Sequence, residues 1–301
     1  MSKQIPWLLG LDLGGTRLKA LGLTPDGREI ARNTAPTGGD DWQGSVKSCV
    51  AMLLAQHGQP AAIGVAAPGL PSKDERCIAH MPGRLPGLEG LDWQKFLDFP
   101  TPIHVLNDAH AALLGEVWLG AARSKCDVIL LTLGTGVGGA ILSDGRLLRG
   151  HIGRAGHLGH IAIHAEGPPD IVNTPGSLED AVGNHSLITR SGGLFHSTAD
   201  LIDAVKSGDL KASTIWQTTV RDLAAGIASF INILDPEAVV ISGGIAEAGD
   251  ALFIPLTAEL DRMEWRPNGH RVEILRATLG DWAGAAGAAY QANQSLITFN
   301  P

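Results

Sequence analysis

Aromatic residues are scarce: one tyrosine, six phenylalanines and seven tryptophans make up 5% of 301 residues. With 44% apolar residues, that scarcity describes a turn-rich α/β enzyme rather than a disordered or fibrous chain. Cysteine is nearly absent. Cys49, Cys77 and Cys126 are scattered, odd in number and without metal-ligand spacing, which excludes a disulfide framework and suits a reduced, cytoplasmic protein. Basic runs are missing and the net charge is −8, which opposes nucleic-acid binding. A phosphate-bearing ligand has to be held by local donors instead. No apolar stretch reaches membrane-spanning length, because glycines and charges interrupt every candidate, so no membrane partner is expected. The start, Met1-Ser2-Lys3-Gln4-Ile5-Pro6, runs straight into a strand, and no secretory leader is expected.

Glycine is plentiful, at 39 residues, and two stretches use it alike. Trp7-Leu8-Leu9-Gly10-Leu11-Asp12-Leu13-Gly14-Gly15-Thr16-Arg17-Leu18-Lys19 reads as an apolar strand, a Gly-Gly-Thr turn and a returning strand. The pattern returns in Val128-Ile129-Leu130-Leu131-Thr132-Leu133-Gly134-Thr135-Gly136-Val137-Gly138-Gly139-Ala140-Ile141-Leu142. A second hairpin signal follows each copy, Pro25-Asp26-Gly27 in one and Ser143-Asp144-Gly145 in the other. The repeat predicts two similar half-molecules. A single Gly-Gly-Thr needs be no more than a hairpin turn. Two in matching contexts, one with Asp12 and Lys19 beside it, suit a nucleoside triphosphate held by backbone N–H groups and the Thr16 and Thr135 hydroxyls.

Between and beyond the repeats, strands alternate with helices, which predicts α/β architecture. Trp42, Val46, Val50, Leu53 and Leu54 fall at helical spacing over 41–57. The strand 62–66 enters the loop Ala67-Pro68-Gly69-Leu70-Pro71, and the strand 103–106 ends at Asn107-Asp108, opening a helix from 109 to about 119. A Gly/His-rich loop covers 150–184. A long helix, 218–234, stops at Asp235-Pro236, where proline forbids continuation. The strand 238–242 delivers Gly243-Gly244, and 272–277 leads to a closing Ala/Gly-rich helix, 283–292.

Taken in order and spacing, Asp12-Leu13-Gly14-Gly15-Thr16, Asn107-Asp108, Leu133-Gly134-Thr135-Gly136, Gly159-His160 and Ser242-Gly243-Gly244 resemble the ROK sugar kinases of the actin-like, hexokinase-like ATPase superfamily. Each motif is weak alone; five in register are specific, and the likeness runs from residue 8 to about 290. It implies an α/β fold of two actin-like (ribonuclease H-like) domains, 1–118 and 119–284, with a central ATP/sugar cleft. The last helix, about 285–301, is expected to pack back on the first domain. The helix–turn–helix domain of ROK repressors is not expected, since the first strand begins near residue 7.

The resemblance also implies an ATP-dependent kinase for a hexose or hexosamine hydroxyl, with Mg²⁺, acting as a homodimer. On this likeness Asp12, Gly14, Gly15, Thr16, Lys19, Gly134, Thr135 and Gly136 serve the phosphates, and Gly243, Gly244 and Gly284 border the adenosine. The sugar contacts it implies are Gly69, Arg84, Asn107, Asp108, His157, His160 and Glu179.

Phosphoryl transfer needs alignment, charge neutralisation and a carboxylate to take the hydroxyl proton. Asp108, at a strand-to-helix junction, is the candidate base. An N-cap is the alternative for Asn107 or Asp108, and the two roles coexist if Asn107 caps while Asp108 points at substrate. Asp12 is the candidate partner for Mg²⁺ through water, or else a local turn cap. Glu179 fits either a sugar ligand or a first-turn carboxylate favoured by the helix dipole. Lys19 either reaches ATP or is solvated.

Three departures bear on the ligand. Family members commonly carry Glu-x-Gly-His followed by cysteines that bind structural zinc with that histidine. Here the Glu position is His157, and the cysteine positions read Asp170, Val172 and Ser177. One histidine without thiolates is not a structural zinc site, so no zinc is expected. A metal-binding cluster of His157, His160 and His164 is the alternative. The family's Asn-Leu-Pro-Gly reads Arg84-Leu85-Pro86-Gly87, so either a guanidinium alters the sugar wall or Arg84 faces solvent. Two competing functions remain: an ATPase without a sugar acceptor, and a catalytically impaired sugar-binding or sensing homologue.

Overall fold

The computed structural model describes residues 6–39, 41–81, 83 and 85–298, without the side chains of 297 and 298. Two compact units divide the chain. Unit 1 takes Met1–Ser124, Arg149–Ala155 and Thr278–Pro301; unit 2 takes Lys125–Leu148 and Gly156–Ala277.

Unit 1 opens with an antiparallel meander of β1 (Leu8–Leu13), β2 (Arg17–Leu23) and β3 (Glu29–Pro36). Helix α1 (Trp42–His57) starts at Asp41, whose carboxylate accepts from the Gly44 N–H. It returns the chain to β4 (Ala62–Ala67), parallel to β1. The ribbon β5 (Leu70–Pro71) and β6 (Ile78–His80) and the short helix α2 (Trp93–Phe96) follow. Then β7 (His104–Asn107) runs parallel to β4 and passes directly into α3 (Asp108–Trp118). The sheet order is β3-β2-β1-β4-β7.

Unit 2 repeats that topology. Its meander is β8 (Val128–Leu133), β9 (Val137–Ser143) and β10 (Arg146–Leu147). Asp144 and Gly145 join the last two at φ 52° and 72°, the paired positive values a two-residue hairpin requires. A loop with one 3₁₀ turn, Leu158–His160, precedes α4 (Leu178–Val182), α5 (Asn184–Arg190), α6 (Thr198–Lys206) and α7 (Leu210–Leu234). After these come β11 (Ala238–Ser242), α8 (Asp250–Met263) and β12 (Glu273–Arg276), giving the order β10-β9-β8-β11-β12. Helix α7 begins about two turns before the expected 218. Asp209 caps it, accepting from the Lys211 and Ala212 N–H groups, while the polar Lys211 and Thr214 mask the buried pair Ala212 and Trp216.

The last helix, α9 (Ala283–Thr298), belongs to unit 1 and explains where Asp12 sits. Side chains alternate faces along β1. Leu9, Leu11 and Leu13 enter a core with Trp42, Val46 and Val50 of α1. Leu8 instead joins the alanines of α9, and a Cβ on Gly10 or Gly64 would run into the α9 backbone at Ala285 and Ala288. Asp12 continues the Leu8–Gly10 face and meets α9 at Gly284. Alanine and glycine on both sides let helix and sheet approach closely enough to half-bury a carboxylate.

Candidate active site

In unit 1 the Gly-Gly-Thr turn is closed by a bond from the Gly14 N–H to the Arg17 carbonyl at 3.0 Å. Buried Thr37 braces it from behind. Its hydroxyl donates to the Gly14 carbonyl at 2.6 Å and its N–H to the Thr16 carbonyl at 3.0 Å. Gly15 and Thr16 are thereby left exposed at the tip.

Asp12, one residue before the end of β1, lies directly opposite Lys19 of β2. A Cβ at position 284 would lie 2.8 Å from the Asp12 carboxylate, so that carboxylate needs glycine there. Burial pushes the Asp12 carboxyl up to about 7; Lys19 works against this, and the Asp108 and Asp281 carboxylates add to it. Lys19 is not simply solvated, since its ammonium lies 3.6 Å from Asp281.

At the junction between β7 and α3 the capping falls to Asn107. Asn107 is the N-cap: its Oδ1 accepts from the Ala109 and His110 N–H groups, and its amide donates to the Gly69 carbonyl at 3.1 Å. Gly69 sits at φ 102°, with Met81, His80 and Ile78 around it, so it shapes the backbone that receives Asn107. Asp108 is exposed at the first turn of α3, with Oδ1 accepting from the Ala109 N–H at 2.8 Å. Helix α3 thus presents a carboxylate where its own N-terminus favours negative charge.

In unit 2 the second turn is held by α4 and α5. The Gly134 and Thr135 carbonyls accept from the Asn184 and His185 N–H groups at 3.0 and 2.9 Å. Among the described residues, the N–H groups of Thr135 and Gly136 make no hydrogen bond to protein, which leaves them available to an anion. Glu179 points at this turn: it accepts from the Val137 N–H at 2.9 Å and lies against Gly136. Gly243, at φ 88°, fits its backbone against Leu133 of β8, with Gly244 open beside it.

Sequence reasoning overlooked His185. Its Nδ1 lies 2.8 Å from the Thr135 carbonyl and its Nε2 2.8 Å from Asp180. Burial lowers its pKa, yet the bonds to the Thr135 carbonyl and Asp180, with the Glu179 and Asp180 charges, outweigh it, and the net shift is upward. The only cue lies in the five-residue spacing from Asp180, across a break between two helices.

The Gly/His-rich loop holds no histidine cluster. His160 Nδ1 pairs with Asp170 at 2.8 Å, and His164 pairs with Asp222 at 3.3 Å. His157 occupies the N-cap position of the 3₁₀ turn Leu158–His160 without a side-chain capping bond. Among the described residues, no group of three or more His, Cys, Asp or Glu side chains is placed to hold a metal ion. Zinc does not fit the substituted positions: Val172 offers no donor side chain, Asp170 Oδ1 accepts from two backbone N–H groups, and Oδ2 is paired with His160 Nδ1. Arg84 lies outside the described residues.

The family model described as "ROK family" matches residues 8–295. A glucokinase from Halalkalibacterium halodurans is 32% identical over 96% of this chain and 95% of its own length. An N-acetylmannosamine kinase from Escherichia fergusonii is 32% identical over 93% of this chain and 96% of its own. The fold is similar to that of a Streptomyces griseus ROK glucokinase solved with glucose and AMPPNP. That match has a TM-score of 0.77 and 26% identity, covering 96% of this chain and 99% of the other.

Proposed function

The chain belongs to the ROK family, and from that premise we propose that it transfers the γ-phosphoryl group of ATP to a monosaccharide hydroxyl. The observation that carries this reading is the division of labour at β7–α3. Asn107 holds the N-cap through three hydrogen bonds, while Asp108, whose Oδ1 accepts from the Ala109 N–H, stands exposed at the helix N-terminus.

The chemistry then follows from the residues. The Asp108 carboxylate accepts the proton of the sugar hydroxyl as the sugar oxygen bonds to the γ-phosphorus. The bond from that phosphorus to the bridging oxygen breaks, and ADP leaves. Backbone N–H groups of the two glycine turns, with the Thr16 and Thr135 hydroxyls, hold the phosphates. Lys19 holds Asp281 and faces Asp12 across the strands.

Asp12 is the residue that would hold Mg²⁺, through water rather than directly. Asp12, half-buried and pushed toward neutrality by desolvation and then by Asp108 and Asp281, is a group that a bound cation would keep ionised. When bound with ATP, Mg²⁺ neutralises charge on the phosphates.

Two relatives at equal identity, a glucokinase and an N-acetylmannosamine kinase, do not choose the acceptor. The choice rests on His157. A neutral imidazole donates and accepts one hydrogen bond each, where a carboxylate would accept from two hydroxyls. A site that pairs polar groups rejects a sugar lacking the right ones. Plain glucose is accordingly a poor acceptor in this account, and the preferred sugar differs from it in polar groups. The three free cysteines suit the reducing cytoplasm, and the assembly is a homodimer, to be tested by light scattering. The decisive experiment is a coupled ADP-release screen over aldoses, ketoses, amino sugars and sugar acids.

A further inference from the structure

The loop between His157 and Ser177 is organised around one carboxylate. The Asp170 side chain is fully buried. Its Oδ1 accepts from the Val172 and Thr174 N–H groups at 2.9 and 2.8 Å, and its Oδ2 faces His160 Nδ1 at 2.8 Å. Ser177, also fully buried, adds a hydroxyl bond and caps α4 through the Asp180 N–H. Burial raises the Asp170 carboxyl, but the bonds from His160, Thr174, Val172 and Ser177 prevail and hold it below the usual carboxylate range.

An ionised carboxylate can only accept, so the ring nitrogen facing it must carry a proton. In the neutral imidazole, Nε2 is then a bare acceptor. A metal bound at Nδ1 would do the reverse, leaving the proton on Nε2 and making it a donor. Exchanging a metal for a carboxylate therefore inverts what the far side of the ring offers. Among the described residues, Nε2 has no protein partner.

We propose that Asp170 is a positioning residue that keeps the proton of His160 on Nδ1, so that Nε2 accepts a hydrogen bond from a hydroxyl of the sugar. This rests on the reading that His160 meets the sugar. It also compensates for position 157: the acceptor lost there with the family's glutamate is supplied by His160, with the negative charge kept one residue back at Asp170. The expected acceptor is a sugar whose hydroxyl at this point donates, and a derivative blocked at that oxygen is expected to be refused.

Asp170→Asn makes the test sharp. Oδ1 is already committed to two backbone N–H groups, so the new amide NH₂ must occupy the Oδ2 position. It then donates to Nδ1, and the proton must move to Nε2. The probe is nitrogen-15 NMR of the histidine-labelled full chain, with His160 assigned through a His160→Gln variant. The wild-type protein should show a protonated Nδ1 and a bare Nε2, and Asp170→Asn should exchange the two. In the same variant the KM for the sugar should rise about 10- to 100-fold while kcat changes by less than about threefold.

A wild-type spectrum with the proton on Nε2 overturns the proposal, as does one zinc per chain by elemental analysis. An exchanged tautomer with unchanged KM overturns the acceptor role. If Asp170→Asn fails to fold, the wild-type spectrum and the shift of Nε2 on titration with sugar decide. A chain that phosphorylates no sugar at all strikes down the kinase reading instead, and the spectrum still locates the proton.

Discussion

Glu116 is fully buried near the end of α3 and gathers four donors. Its Oε1 accepts from the Thr278 and Leu279 N–H groups at 3.0 and 2.9 Å. Its Oε2 accepts from the Ala121 N–H at 2.7 Å and the Thr278 hydroxyl at 3.3 Å. All belong to unit 1, so this carboxylate pins the segment that enters α9. In Glu116→Ala three backbone donors lose their partner. At roughly 1–3 kcal/mol each for an unsatisfied buried group, less what entering water restores, the expected loss is about 4 kcal/mol. For a unit of this size that corresponds to about 10 °C in Tm. Glu116→Gln keeps one acceptor oxygen but turns an NH₂ toward at least one N–H, so about 2 kcal/mol is expected. Thermal unfolding should be followed by tryptophan fluorescence, and hydrogen exchange over residues 278–298 should show faster exchange in both variants. A loss below about 1 kcal/mol in Glu116→Ala, with exchange unchanged over that segment, would mean that Glu116 does not pin the entry to α9.

His185 gives a pH signature. Its pKa is raised in the fold, so its stabilising contribution is complete below its ordinary value near 6.5 and is lost as pH rises through the raised value. The Tm difference between wild type and His185→Gln should therefore be largest at acid pH and shrink on the alkaline side; a constant difference would count against the paired imidazolium. Asp12→Asn should lower kcat by on the order of 10² and blunt the dependence on Mg²⁺; full activity would remove Asp12 from the site. Gly284→Ala, which presses on Asp12, should match that loss with little change in Tm. Gly287→Ala should instead cost about 1–3 kcal/mol, because its Cβ would meet the Ala111 carbonyl and the Gly115 N–H. Indistinguishable melting of these two glycine variants would contradict the packing of α9.

What was legible in the sequence is what local rules encode. Both glycine turns, the β7–α3 junction and the closing Ala/Gly-rich helix follow from strand alternation, turn chemistry and capping, and each appears at its place. The start of α7 was missed because only Ala212 and Trp216 mark its buried face there. Pairings between distant residues were not legible. Nothing near Glu116 announces that Thr278 and Leu279 will meet it, and nothing in the loop says that His160 and His164 take different carboxylates. The strand alone left Lys19 between ATP and solvent, because its partner Asp281 lies far along the chain. The excursion of Arg149–Ala155 into unit 1 has the same origin: Arg149 pairs with Glu75, and His110 bonds the Ala155 carbonyl at 3.2 Å.

Sugar-dependent ADP release by the wild-type chain and by Asp108→Asn tests most simply whether Asp108 is the base of a sugar kinase. The variant keeps the shape of the side chain and removes its basicity. With the best sugar of the panel, wild type should release ADP only when sugar is present, and Asp108→Asn should lose on the order of 10² to 10⁴ in kcat with little change in KM. Equal ADP release with and without sugar, or near-normal kcat in Asp108→Asn, would contradict the account.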